Sequence, residues 1–343
     1  MKLIELHILQ SFPVTCLNRD DVGSPKSATF GGSQRARVSS QALKRASRIE
    51  ARDSSPDAFQ GIRSRFLLEP FTNALLAAGI DEAEAAKKAT EICEAFSTID
   101  KKNPDQVTTA VFLSPSEIEQ VAAAVVAGKE AKQAVKKVDR LDAADIALFG
   151  RMIANDATLN VEGAAMFSHA LSTHTTANKI DFFSAVDDRK GDSEDAGAGM
   201  IGTLEYNSAT YYRYVAINLD LLFDAKHLGP ITEQEKRKSL LNAFIRAVLT
   251  AVPGARQNSM NGATLPIEVL GIRKEKGQPL QLINAFEKPI KASNNGYAVN
   301  SRKEMLQHHT DLKDLWSIET AVESLLTEDK LEGFLTKLLT ADV

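Results

Sequence analysis

The chain has 343 residues, 43% apolar and 25% charged, which excludes a disordered chain and leaves ample length for a core. Its net charge of -4 conceals +5 over residues 1–52 and -9 over the rest, so a local basic surface exists that the overall balance would not flag. No apolar run reaches the ~18 residues of a membrane span, the start MKLIELH does not read as a signal peptide, and two distant cysteines, Cys16 and Cys93, suggest neither a disulfide framework nor a metal site; the expectation is a reduced, cytoplasmic protein with no membrane partner.

At about 100–200 residues per domain, the length suggests two domains or one with a large insertion. Residues 2–10 are largely apolar on both alternating sets and predict a strand covered on both faces, central in a sheet. Residues 11–38, with Pro13, Gly23, Pro25, Gly31 and Gly32, predict a long loop, and loops of that length are usually functional. Ser39 or Ser40 then caps a helix to about Arg52, with Leu43 and Ala46 inward. Residues 53–62 read as a connector. Residues 63–150 are helical and Ala-rich, with breaks near Gly79-Ile80-Asp81, Asn103-Pro104, Ser114-Pro115 and Gly128. Their last helix would place Lys129, Lys132, Lys136 and Arg140 on one face.

Residues 151–154 predict a short strand and residues 163–173 a helix. Residues 187–202 are acidic and Gly-rich, a loop between two strand-like flanks, FFSAV and TLEYNSATYYRYVAINL. Together they predict a long protruding hairpin. A helix follows over 232–251, then strands over 266–272 and 280–286, and one or two amphipathic helices from about Asp311 to Leu339. This order predicts an α+β fold: an antiparallel sheet with helices on one face. A ferredoxin-like sheet, the scaffold of RNA-recognition modules, fits it.

The residues alone supply no catalytic constellation. There is no P-loop, no strand-borne GxGxxG and no HExxH. His169 and His174, five apart, do not share a helical face as a metal pair would, and His169 reads as a packed or capping histidine. The adjacent carboxylates Asp20 and Asp21 could bind magnesium or work as acid and base on a phosphodiester; equally they could neutralise Arg19 or form an Asx turn. The richest stretch is 16–48. It offers Arg19, Lys26, Arg35, Arg37, Lys44, Arg45 and Arg48 to phosphates. Gly31 and Gly32 would permit close backbone approach, Ser39, Ser40 and Gln41 add neutral donors, and the amides of Ser40–Leu43 would form an anion site. With only Phe30 nearby to stack on a base, this composition favours backbone grip over base readout.

The same stretch carries a resemblance. LNRDD (17–21), FGG with its basic run (30–37) and SSQALKRA (39–46) with Arg48 resemble the signature of the Cascade backbone subunit of type I-E CRISPR systems, the CasC family of the RAMP superfamily. DIALFGRM (145–152), HALSTH (169–174), DFFSAVDD (181–188), YRYVAINL (212–219), VPGARQ (252–257) and NAFEKPI (284–290) match in the same order. The resemblance implies a non-catalytic protein of antiviral defence that needs no cofactor. Several copies polymerise as a helical filament along one CRISPR RNA, with other Cascade subunits, and present the guide to target DNA.

It further implies a hand. An RRM-like palm would span 1–62, 151–184 and 219–343, helical fingers 63–150, and a β-hairpin thumb 185–218. Guide-backbone contacts would fall on Arg19, Lys26, Ser39, Gln41, Lys44, Arg45 and Arg48. The thumb tip that kinks the guide would fall around Leu204, Glu205 and Tyr206, with Ala165 or Met166 stacking from a helix at 164–167. Lys132, Lys136, Lys137 and Arg140 would meet DNA. The acidic stretch 187–195 would point away from the guide or contact a neighbour. The competing expectation is a RAMP-type endoribonuclease that cuts target RNA with Asp20 or Asp21 and magnesium.

Overall fold

The computed structural model describes residues 1–136, 138–185 and 200–340. In chain order these form β1 (Leu3–Thr15), β2 (Ser27–Phe30), β3 (Ser33–Val38), α1 (Ser40–Ser54), β4 (Ile62–Ser64), α2 (Leu68–Ala77), α3 (Glu82–Phe96), β5 (Val111–Leu113), α4 (Pro115–Val126), α5 (Ala131–Ala134) and α6 (Ala144–Phe149). Then come β6 (Ala165–Phe167), β7 (Ala170–Ser172), β8 (Lys179–Ala185), β9 (Met200–Asn218), α7 (Leu219–Leu222), α8 (Gln234–Thr250), β10 (Glu268–Lys274), α9 (Ala298–Trp316), β11 (Val322–Leu325) and α10 (Leu326–Leu338). The fold is α+β. The chain divides into two compact units, one of Met1–Glu50, Phe167–Ala216 and Ile245–Ala341, the other of Ala51–Met166 and Ile217–Phe244.

The first unit is built on a sheet of order β11-β10-β1-β9-β7-β3-β2. β1 is interior, between β10 and β9. Leu3 to Gln10 are all buried, which is why both alternating sets of that strand are apolar or internally bonded. Among its buried polar members, His7 meets Tyr212 Oη through Nδ1 (2.9 Å) and Gln10 Nε2 donates to Thr264 O (2.6 Å). Glu5 accepts from Tyr214 Oη (2.6 Å) and the Leu280 amide (2.7 Å) and pairs with Lys274 Nζ (2.5 Å). α10 lies close on β10: a Cβ at Gly271 would come within 2.7 Å of Leu338 and of the Phe334 ring.

The second unit packs α2, α3, α4 and α5 around Phe71, Leu75, Ile92, Phe96 and Val121, beside the β4–β5 pair. The breaks expected from sequence are its helix ends. Gly79 (φ +89°) and Gly128 (φ +88°) follow α2 and α4. Asp81 caps α3 by accepting from the Glu84 amide (3.2 Å), and Ser114 caps α4 through the Glu117 amide (3.1 Å) with Pro115 next. A buried ion pair, Arg151 Nη1 to Glu117 Oε2 at 2.8 Å, ties α4 to the strip after α6.

Several sequence expectations are corrected. Residues 11–38 are not a structureless loop: β1 runs on to Thr15, and β2 and β3 form a hairpin turned at Gly31 (φ +56°) and Gly32 (φ +69°). Residues 163–173 are the strands β6 and β7, because pairing in the sheet overrides the helix propensity of Ala, Met and Leu. Residues 151–154 hold one bridge, Arg151 to Val161, instead of a strand. Residues 280–286 are not a strand but end in a short 3-10 turn, Ile283–Phe286. The helix carrying Lys129 to Arg140 is the four-residue α5 alone. The C-terminal helical stretch starts earlier, at Ala298, and is interrupted by β11. The FFSAV flank and its partner do pair antiparallel, Lys179 with Tyr206 through Ala185 with Met200.

Candidate nucleic-acid interface

The basic stretch begins where β1 ends. Cys16 and Leu17 are buried and anchor the loop that follows. Asn18 then joins three segments: its carbonyl accepts from the Lys26 amide (2.9 Å), and its Oδ1 accepts from the Ser39 amide (2.9 Å). Asp20 Oδ1 accepts from the amides of Val22 (3.1 Å) and Ser24 (2.8 Å), the Asx turn. The Lys26 carbonyl accepts from the Arg37 amide (2.9 Å). Arg19, Lys26, Arg37 and Ser39 are thus set side by side by backbone hydrogen bonds. Arg19 is exposed and Lys26 half-buried.

α1 continues this surface. Ser39 caps it, its Oγ accepting from the Ala42 amide (3.2 Å) and its carbonyl from Leu43 (3.1 Å). The Ser40 amide donates to His169 Nδ1 (3.0 Å), so His169 is a capping histidine. Three of the four amides expected to hold an anion are therefore already engaged within the protein, and the helix N-terminus is no vacant anion site. Leu43 and Ser47 are buried, and Gln41, Lys44, Arg45 and Arg48, at i, i+3, i+4 and i+7, share a stripe on the other side. Lys44 Nζ sits 5.8 Å from the centroid of the Phe167 ring, and burial lowers its pKa. Among the described residues no carboxylate lies within ion-pair distance of Arg19, Lys26, Lys44 or Arg45.

Two residues of the stretch serve the fold instead. Arg35 is fully buried and donates to the carbonyls of Phe30 (3.3 Å), Ser172 (3.0 Å), Phe286 (2.8 Å) and Glu287 (3.1 Å). It offers nothing to a phosphate. Gly31 is needed because a Cβ there would stand 1.8 Å from the Glu287 carbonyl oxygen, so its close approach is to the protein's own backbone.

The family model described as CT1975-like protein matches residues 4–340. The chain belongs to the CT1975-like protein family. A comparison of this CT1975-like chain with curated proteins returns no match. Among solved structures it is similar to a chain of "CRISPR RNA-guided surveillance complex, pre-nicking", at TM-score 0.77 and 27% identity, covering 93% of this chain and 90% of that one. A chain of "CRISPR RNA-guided surveillance complex" shares the fold at TM-score 0.60 and 24% identity, covering 94% and 88%.

The other expected site residues of the CT1975-like chain fall as follows. Met166 is half-buried in a strand, β6, and not in a helix. Leu204 and Tyr206 pair with Asp181 and Lys179, at the end of the β8–β9 ladder away from the Ala185–Met200 rung. Residues 186–199, which include the acidic stretch 187–195, lie outside the described residues. Asn178 links the Lys179–Tyr206 end of the ladder to the basic loop, donating to Pro25 O (3.2 Å) and Glu205 Oε2 (3.1 Å). Of the lysines expected to meet DNA, Lys132 is exposed and Lys136 pairs with Asp156 (3.3 Å). Arg140 faces Glu117 (3.7 Å), where burial is the main cause of its lowered pKa. Lys137 lies outside the described residues. Among the described residues no helix is long and apolar enough to cross a membrane.

Sequence reasoning missed Phe167 as the ring beneath Lys44 and underused Arg37 and His169. The available signal was the HALSTH motif two residues after Phe167, but its relation to α1 depends on the β3–β7 register, Arg37 with Leu171 and Val38 with Ala170.

Proposed function

We propose that this chain is a Cas protein and a non-catalytic backbone subunit of a type I-E, Cascade-type surveillance complex. In this reading several copies line one CRISPR RNA in the cytoplasm, hold its phosphates and kink it at intervals for pairing with target DNA. The observation that carries it is the Gln41–Lys44–Arg45–Arg48 stripe of α1, capped by Ser39 and flanked by Arg19 and Lys26. The likeness to a surveillance-complex chain over 93% of the length supports it. Arg19, Lys26, Lys44 and Arg45, with no carboxylate within ion-pair distance among the described residues, are suited to neutralise phosphates without reading sequence, which leaves specificity to the guide's base pairing.

The hand description belongs to this proposal: an RRM-like palm (1–62, 151–184, 219–343), fingers (63–150) and thumb (185–218). The antiparallel sheet around β1, the helices between α2 and α6, and the β8–β9 ribbon support it. Asp20 spends Oδ1 on two amides of its own turn, which supports a structural role for that carboxylate over magnesium-dependent RNA cleavage.

The test is RNA affinity against salt. Lys44→Ala with Arg48→Ala removes two charges, so the slope of log K against log salt should flatten by about 1.4, at ~0.7 per phosphate on a single strand. Wild type that fails to bind RNA at low salt would sink the proposal; an unchanged slope in the double variant would move the contact away from α1.

A further inference from the structure

The side chain left over by this reading is His169. The β3–β7 register, Arg37 opposite Leu171 and Val38 opposite Ala170, brings His169 to the rung of Ser39. There its Nδ1 accepts the Ser40 amide at 3.0 Å. A neutral imidazole has one donor and one acceptor nitrogen. Because Nδ1 accepts, the ring proton is on Nε2. The residue is exposed, so this N–H is within reach of an incoming ligand.

Its surroundings favour an anion. Lys26 and Arg37 are adjacent through the Lys26 O to Arg37 N bond (2.9 Å), and Arg37 Nε donates to Ser27 O (3.2 Å), which steadies the guanidinium fork. Desolvation first, then the charges of Arg37 and Lys26, lower the basicity of His169. The Ser40 amide acts in the same sense, since a proton on Nδ1 would displace that bond. The imidazole is therefore held neutral within the field of two cations, a donor aimed by its own helix cap.

We propose that His169 is a phosphate-binding residue: its Nε2–H donates to a phosphodiester oxygen of single-stranded RNA, beside Lys26 and Arg37, while Nδ1 keeps the Ser40 amide. This rests on the RNA-backbone reading above and adds a neutral contact to a site otherwise described by its cations.

Two substitutions separate ligand contact from helix capping. In His169→Asn, Oδ1 can replace Nδ1 as acceptor of Ser40 but no donor replaces Nε2. In His169→Gln, the longer amide can replace the Nε2 donor. RNA affinity of the full chain is measured for both against salt. The Asn variant should bind about two- to tenfold more weakly, the weight of one hydrogen bond, with the salt slope unchanged because no charge is lost. The Gln variant should stay within about twofold of wild type. Lys26→Ala or Arg37→Ala should instead flatten the slope by about 0.7. In the free protein, long-range nitrogen–proton NMR should show the Nε2–H tautomer.

Wild-type affinity in the Asn variant, or loss in Gln with retention in Asn, would overturn the inference and leave His169 a cap only. A wild type that binds no RNA would instead overturn the broader reading, and this one with it.

Discussion

At the residue scale, the positions that face outward from the basic stretch were legible and the buried ones were not. Gln41, Lys44, Arg45 and Arg48 announce themselves by helical spacing. Arg35 looks the same in composition, yet it is buried against four carbonyls, a fate set by a hairpin that the sequence pattern does not disclose. Arg35→Met should therefore leave RNA-independent stability lower by about 2–4 kcal/mol, read as a shift in the urea midpoint, because those carbonyls lose a charged donor. A second prediction concerns acid. His174 stacks on Tyr297 at 3.6 Å, accepts the Thr210 amide at Nε2 (3.2 Å) and donates from Nδ1 to Thr175 O (3.0 Å), so it is neutral. Burial, then Arg35, lowers its pKa, against the opposing Thr175 carbonyl; burial, then His309 and Lys274, lowers that of His7. With folded values below the ordinary 6.5, both contribute stability present above pH 6.5 and lost as pH falls toward the folded values. The melting temperature should decline between pH 6.5 and 5, with a shallower slope in His174→Phe. An equal slope would remove His174 from the account.

At the element scale, strong local signals gave the right elements and weak ones did not. β1 was visible as a strand apolar on most positions of both alternating sets, and α1 as a Ser cap ahead of a helical stripe. Ser39→Ala should cost about 1 kcal/mol in a denaturant titration, since its Oγ satisfies the Ala42 amide. The β2–β3 hairpin was hidden because β2 has one large apolar side chain, Phe30, and β3 buries Arg35 on the set of positions that alternation with Ala36 and Val38 would leave polar and exposed. β6 and β7 were hidden for the opposite reason: AAMFSHALS has good helix formers, and only neighbouring strands make them extended. The hairpin turn offers a sharp check. Gly31→Ala adds a Cβ at a positive φ and 1.8 Å from Glu287 O, so it should destabilise by more than about 2 kcal/mol, whereas Gly32, with nothing within 4 Å, should cost only its backbone strain.

At the scale of the whole molecule, an acidic protein of net charge -4 carries a net +5 over residues 1–52, the segment in which β1, β3 and most of α1 fall. If copies add head to tail along RNA, the contact is open-ended and the ligand sets the length. The mass of the complex, measured by light scattering, should then rise in steps as the RNA is lengthened; a fixed copy number would refute the filament. The Asn18 clasp bears on how fast such growth proceeds. Its two bonds, to Lys26 and Ser39, hold the loop against α1 before any ligand arrives. A surface assembled in advance has no ordering entropy to forfeit at contact, so association at the basic loop should show a single phase whose rate climbs linearly with RNA concentration, without the plateau that a slow rearrangement would impose.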